Sequence, residues 1–181
     1  TSYVLIWLSV AWGLAVSTKI LDGFLHRTFT YDFHQFISLL GIGFLALHIG
    51  ILLFDRYLPY TPAQILIPFL SPYRPFWVGI GIIAFYLILL VTVTFYMRSI
   101  ISMKTFRAIH GFSLVGYLGA TLHSFFAGTD SSLPAVQYLY AGSFLVIVFL
   151  TVYWLAVVRG KNKKARLAAS AAQRPSGIIN Q

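Results

Sequence analysis

Five stretches of this chain, residues 3–20, 33–54, 75–97, 106–126 and 134–158, run for 18 to 25 residues each with almost no ionisable side chain other than histidine. A helix rises about 1.5 Å per residue and a bilayer's hydrocarbon core is roughly 30 Å thick, so each stretch is long enough, or nearly so, to cross it. The expected fold is therefore all-α, a transmembrane helical bundle of about five spans. Composition points the same way, because 59% hydrophobic and 9% charged residues leave too little polar surface to wet the outside of a soluble globule. Gly41, Gly43, Gly79, Gly81, Gly111, Gly116 and Gly119 fall inside these stretches. There they let helices approach closely and leave room for a bulky cofactor.

The net charge of +9 comes from thirteen Lys and Arg placed between the apolar runs and near the C-terminus, not on one basic face. That pattern sets topology and gives no reason to expect a nucleic-acid partner. Lys19, Arg27, Arg98, Lys104, Arg107, Arg159, Lys161, Lys163, Lys164 and Arg166 fall on one side of the alternation, and Arg56 and Arg74 on the other. The richer side is expected to be cytoplasmic, with the first residues outside. Two segments do not span. Residues 55–74 hold Pro59, Pro62, Pro68 and Pro72, which predicts a short outer interfacial helix over 63–70 bounded by turns. Two parts are expected, a bundle over 1–160 and a basic cytoplasmic tail over 161–181 attracted to anionic lipid or a partner. The expected location is a bacterial plasma membrane, crossed several times. No basic n-region or small-residue cleavage site precedes the first run, which opens at Thr1, and a further segment upstream is an open expectation.

Four of the five histidines form two pairs. His34 and His48 share one stretch, fourteen residues apart, and His110 and His123 share another, thirteen apart. At about 1.5 Å per residue the separations are roughly 21 and 20 Å, so the two helices offer imidazoles at two matched depths. Both helices run the same way across the membrane. His34 is therefore expected to meet His110 near the cytoplasmic face, and His48 to meet His123 near the outer face. Two neutral imidazoles with apolar, aromatic walls suit low-spin heme iron, and the absence of cysteine rules out thiolate sites. The cofactor reading is two b-type hemes. The alternative is four interhelical hydrogen bonds. The angular fit is imperfect: at about 100° per residue, thirteen steps leave the second side chain about 140° from the first. Either the later helix is overwound or kinked near Gly111, Gly116 or Gly119, or its two hemes are rotated relative to each other. His26 lies outside the pairs.

Arg107 and Arg74 are the next candidates, as partners of heme propionates at the inner and outer sites, with Lys104, Arg27 and Arg56 behind them. Each also reads as a snorkelling or topology residue. Phe44, Phe112, Tyr117, Phe125 and Phe126 are candidates to line heme faces or simply to pack. Asp55 and Asp130 fall at helix ends, where capping is expected. No phosphate-cradling loop, nucleophile with a base, or paired carboxylate site is present, and no flavin or dinucleotide domain.

The paired-histidine helices, the run Pro68-Phe69-Leu70-Ser71-Pro72-Tyr73-Arg74-Pro75, and Phe106-Arg107-Ala108-Ile109-His110 followed by Leu122-His123-Ser124-Phe125-Phe126-Ala127-Gly128-Thr129-Asp130-Ser131 together resemble the ferric-reductase-like transmembrane domain. That superfamily includes NADPH oxidases, ferric reductases and the heme-binding subunits of bacterial sulfoxide reductases. The resemblance covers roughly residues 3–159. It implies two stacked b hemes that carry electrons across the membrane, the inner on His34 and His110 and the outer on His48 and His123. Two features depart from the family: Phe106 stands where a Trp is frequent, and five spans are counted where six are common. The reductase domain that follows the last helix in NADPH oxidases has no counterpart here. The resemblance then implies an electron donor elsewhere, whether a separate flavoprotein, a quinol or another redox subunit, and an acceptor on the outer side.

Three functions compete on the sequence. The first is a di-heme electron conduit serving an oxidoreductase. The second is a quinol-oxidising membrane subunit, for which Asp22, Asp32, Asp55 and His26 are the available proton-handling groups. The third is a heme-free structural or transport subunit.

Overall fold

The computed structural model describes residues 1–56 and 59–172, with the side chains of the last helix described as far as Gly160. Among these residues the chain is helical, without strands: α1 (Ser2–Thr18), α2 (Arg27–Leu52), α3 (Pro62–Leu66), α4 (Pro75–Tyr96), α5 (Met103–His110), α6 (Phe112–Ala127), a 3-10 turn (Thr129–Ser132) and α7 (Pro134–Ala172). Three helices are long and apolar enough to cross a membrane: α2, α4 and the Pro134–Gly160 part of α7. α1 is equally apolar but has 17 residues. The fourth expected span is divided into α5 and α6 at Gly111.

Local chemistry accounts for most of the boundaries. α2 begins at Arg27, six residues before the expected start at residue 33. Its first turn is polar, yet the Thr30 hydroxyl donates to the Arg27 carbonyl at 2.7 Å and the Trp12 indole N–H donates to the Thr30 carbonyl at 2.9 Å. α3 is shorter than the expected 63–70. Thr61 and Gln64 close a capping box and Pro62 occupies the first turn. The helix ends with Ile67 in extended conformation ahead of Pro68, which disfavours helical geometry in the residue before it. Ser102 caps α5 by accepting from the Thr105 N–H at 3.0 Å. The backbone of α7 remains helical to Ala172, into the region expected to be a tail; residues 173–181 lie outside the described residues.

Two antiparallel hairpins organise the bundle. In the first, α1 lies along α2: Ser2 donates to the Phe44 carbonyl at 3.0 Å, Gly41 faces Leu5, and the Ser9 and Ser38 hydroxyls bond at 2.7 Å. In the second, α4 packs along most of α6. There Gly116 lies against Ile88 and Gly119 against Ala84, so that a Cβ added at either would meet its neighbour at 3.0 Å. These glycines set the α4–α6 distance, as small residues do where helices must pack without a hydrophobic driving force. α1 touches α2, α6 and α7, and its Ile6 and Leu14 join Tyr117 and Ile147 in the buried core. The polar content of this core is internally bonded. Tyr3 and Tyr117 share a 3.2 Å hydroxyl contact, Tyr3 and Ser143 one of 2.6 Å, and the Trp7 indole donates to the Ser143 carbonyl at 3.1 Å.

Gly119→Val should force α4 and α6 apart and cost about 1–3 kcal/mol. Gly43→Ala, where a Cβ meets nothing within 4 Å, should be neutral or slightly stabilising. Thermal unfolding of the two variants in detergent separates close packing from a general intolerance of glycine substitution.

Candidate functional site

α2 carries His34 and His48, while His110 ends α5 and His123 sits in the second half of α6. α2 makes no extended contact with α5 or α6. The histidine-bearing helices therefore stand on either side of a gap, here called the slot, with α1 bracing α2 and with α4, which also touches α2, bracing α6.

At the inner end the structure brings the expected partners together. The His34 and His110 rings stand 6.2 Å apart, centre to centre, and are inclined at 79°. A transition metal about 2.0 Å from an imidazole nitrogen lies roughly 3 Å from the ring centre, so two rings on opposite sides of one ion stand about 6.3 Å apart. The same spacing is found in ordinary edge-to-face ring pairs, so the distance admits a bridging ion without demanding one. Burial adds to the case. The Nδ1 atoms of both rings are enclosed and make no hydrogen bond of normal geometry, the Ser9 backbone being the nearest hydrogen-bonding group to His34. A buried polar atom left without a partner costs about 1–3 kcal/mol, and a metal is one partner an imidazole nitrogen accepts without a proton.

The outer end is built differently. His123 Nδ1 lies 3.0 Å from the Trp77 carbonyl of α4. A carbonyl only accepts, so Nδ1 carries the proton and Nε2 keeps its lone pair, the arrangement that metal-binding histidines adopt. His48 stands exposed on α2, at the open edge of the slot, and interacts electrostatically with His123. The pair thus shares a level, with one imidazole fixed and the other at an edge.

A glycine seats one histidine in each hairpin. A Cβ at Gly13 would come within 3.0 Å of His34 Cε1, and one at Gly81 within 2.5 Å of His123 Nδ1. Gly81 is among the spacing glycines read from the sequence. Gly13 is not, and the signal for it was available: in an antiparallel hairpin it lies at the depth of His34, just as Ser9 lies at that of Ser38.

The thirteen-residue spacing spans a break. Gly111 interrupts the helix directly after His110, and the Leu114 N–H bonds to the Gly111 carbonyl at 3.3 Å, a tighter i to i+3 turn. One such turn at about 120° per residue in place of 100° recovers roughly 60° of the 140° mismatch. A local overwinding or break at Gly111, the first of the two sequence alternatives, is therefore present and accounts for part of the mismatch.

Arg74 and Arg107 occupy opposite ends. Arg74, in left-handed conformation with φ 42°, donates to the Phe126 carbonyl at the C-terminus of α6 and lies over the Tyr73 ring at 5.2 Å. This closes a carbonyl that α6 cannot pair itself, one turn beyond His123. Arg107 is exposed on α5, one turn before His110. Of the aromatic candidates, Tyr117 belongs to the core between α1 and α7 and not to the slot, and Phe126 stacks on Trp77 at 3.9 Å. A mostly apolar crevice of about 230 Å³ between α6 and α7 is bordered by Leu114, Leu118, Phe144 and Val148, with Tyr117 and Thr151 its hydroxyl-bearing residues.

Among the described residues no three His, Asp or Glu side chains converge on one point that could hold a metal ion. A bis-histidine heme needs two, the porphyrin supplying the other iron ligands. No protein-family model, curated protein or solved structure matches the chain.

Gly81→Ala should push the His123 ring off the Trp77 carbonyl. Mass spectrometry after brief treatment with an imidazole-acylating reagent should then find His123 several-fold more reactive than in the unaltered chain, with His34 unchanged. Equal reactivity of His123 in both proteins would mean that the glycine does not seat it.

Proposed function

We propose that this chain is a transmembrane electron conduit that holds two b-type hemes, the inner on His34 and His110 and the outer on His48 and His123, with electrons passing from a cytoplasmic-side donor to an outer-side acceptor. The observation that carries this reading is the pair His34 and His110: two half-buried imidazoles with enclosed Nδ1 atoms, 6.2 Å apart, on helices that otherwise stand apart. When bound, each heme iron supplies a one-electron couple whose potential is set by its two imidazoles and the surrounding dielectric. The protein's own tasks are positional. The Trp77 carbonyl holds His123 in one tautomer, and Gly13 and Gly81 leave room for the His34 and His123 rings close to a neighbouring backbone. Arg107 and Arg74 stand at the two ends, where an anionic propionate would meet a guanidinium.

In this reading five segments cross the membrane. α1 spans about 26 Å at 1.5 Å per residue, and α5 with α6 forms one bent crossing. The end bearing Lys19, Arg27, Arg98, Lys104 and Arg107 faces the cytoplasm, as does the C-terminus of α7. The resemblance to the ferric-reductase-like domain supports the assignment through the same histidines and the outer run 68–75.

The purified chain, expressed with ample heme, should carry about two low-spin b hemes, read from its reduced-minus-oxidised spectrum with heme and protein quantified on one sample. His34→Ala or His110→Ala should remove one, and His123→Ala the other. A colourless protein that retains its helical content would refute the reading and return the four histidines to interhelical bonding.

A further inference from the structure

One row of ring contacts connects the inner histidines to the surface. His110 lies 5.3 Å from the Phe106 ring, Phe106 lies 6.4 Å from Phe95, and the Arg98 guanidinium sits 4.2 Å above Phe95. The row starts at the inner pair and ends at an exposed cation on the corner between α4 and α5. Lys104 and Arg107, both exposed, follow on α5 at intervals of three residues that lead to His110, so all three lie along one flank of the helix. No acidic residue occurs between residues 97 and 111; the two carboxylates at this end, Asp22 and Asp32, belong to the α1–α2 side. Nothing in this pattern would recognise a cation, and a neutral molecule would gain nothing from it.

We infer that this corner, with Arg98 over Phe95 and the exposed Lys104 on the first turn of α5, is where a soluble one-electron donor with an acidic face docks. The inference rests on the electron-transfer reading above and names the class of partner that reading leaves open. The donor gives up one electron, which reduces ferric iron held at the His34–His110 pair to ferrous; no bond is formed or broken and no proton needs to move at the corner. An anionic lipid headgroup would use the cations but has no use for the ring row beneath them, which is why the donor is the better fit. Charged rims of this kind act mainly on encounter, raising association rates by ten to a thousandfold at low salt.

The test uses the full chain in nanodiscs of zwitterionic lipid only, with heme quantified first. Stopped-flow absorbance follows heme reduction by two small donors, reduced anthraquinone disulfonate, an anion, and reduced methyl viologen, a cation. In Arg98→Glu/Lys104→Glu, reduction by the anion should slow roughly tenfold, reduction by the viologen should hold or quicken, and both differences should fade at high salt. Arg27→Glu, on α2 and outside the corner, should leave both rates as they were. A second readout needs no heme: fluorescence anisotropy of a labelled oligoglutamate peptide should show weaker, salt-dependent binding to the corner variant. Equal slowing of both donors, or unchanged rates and peptide binding after charge reversal, overturns the inference and leaves the cations as lipid-facing topology residues. A chain that binds no heme while peptide binding still falls on reversal would instead sink the electron-transfer reading on which the donor's role depends.

Discussion

The close contact of helices at glycine, within two antiparallel hairpins, is the interaction on which the remaining structure depends. Where the surroundings are as apolar as the side chains, burying leucine gains little, and helices hold together by fitting backbone against backbone. Gly116 and Gly119 bring α6 onto α4, and Gly41 brings α2 onto α1. Once each hairpin is closed, the register carries the chemistry with it: Gly13 lands at His34 and Gly81 at His123. A histidine ring this close to a neighbouring helix needs a position without a Cβ, and both hairpins supply one.

The paired histidines and the apolar runs were legible because each depends on spacing along one helix. The runs at 75–97 and 134–158 correspond to α4 and to most of the apolar part of α7, and the run at 33–54 to most of α2. What one-dimensional spacing could not give was the partner across a hairpin. Gly13 is an ordinary glycine until the turn at residues 19–26 fixes which residue of α2 it meets. The Trp77 carbonyl is similarly invisible, since any residue could supply a backbone oxygen. The thirteen-residue interval between His110 and His123 did announce an irregularity, and Gly111 was among the named places for it. The division of α5 from α6 follows from that same residue, and it is why the fourth apolar run does not count as a single long helix.

The two ends of the slot differ in how far the protein fixes its imidazoles. At the inner end both rings are enclosed and lie near each other. At the outer end His123 is pinned by a backbone bond while His48 stands at an edge. The loop before α4 adds rigidity on the α4–α6 side: Phe69, held at φ 69°, stacks with Phe76, and Arg74 closes the end of α6. The contrast follows the hairpins, because α6 is gripped along its length by α4 whereas α2 rests on α1 by one flank.

That one-sided attachment of α2 bears on how such a molecule is put together. The α1–α2 hairpin can close as soon as its two segments are in the membrane, and the α4–α6 hairpin can close independently of it, because each is made of neighbours in sequence. They then meet chiefly through α1, against α6 and α7, with a smaller contact of α2 on α4. A heme held as proposed would take its two imidazoles from separate, finished hairpins, so it would act as a clasp between halves that the polypeptide joins through α1 and, more narrowly, through α2 on α4.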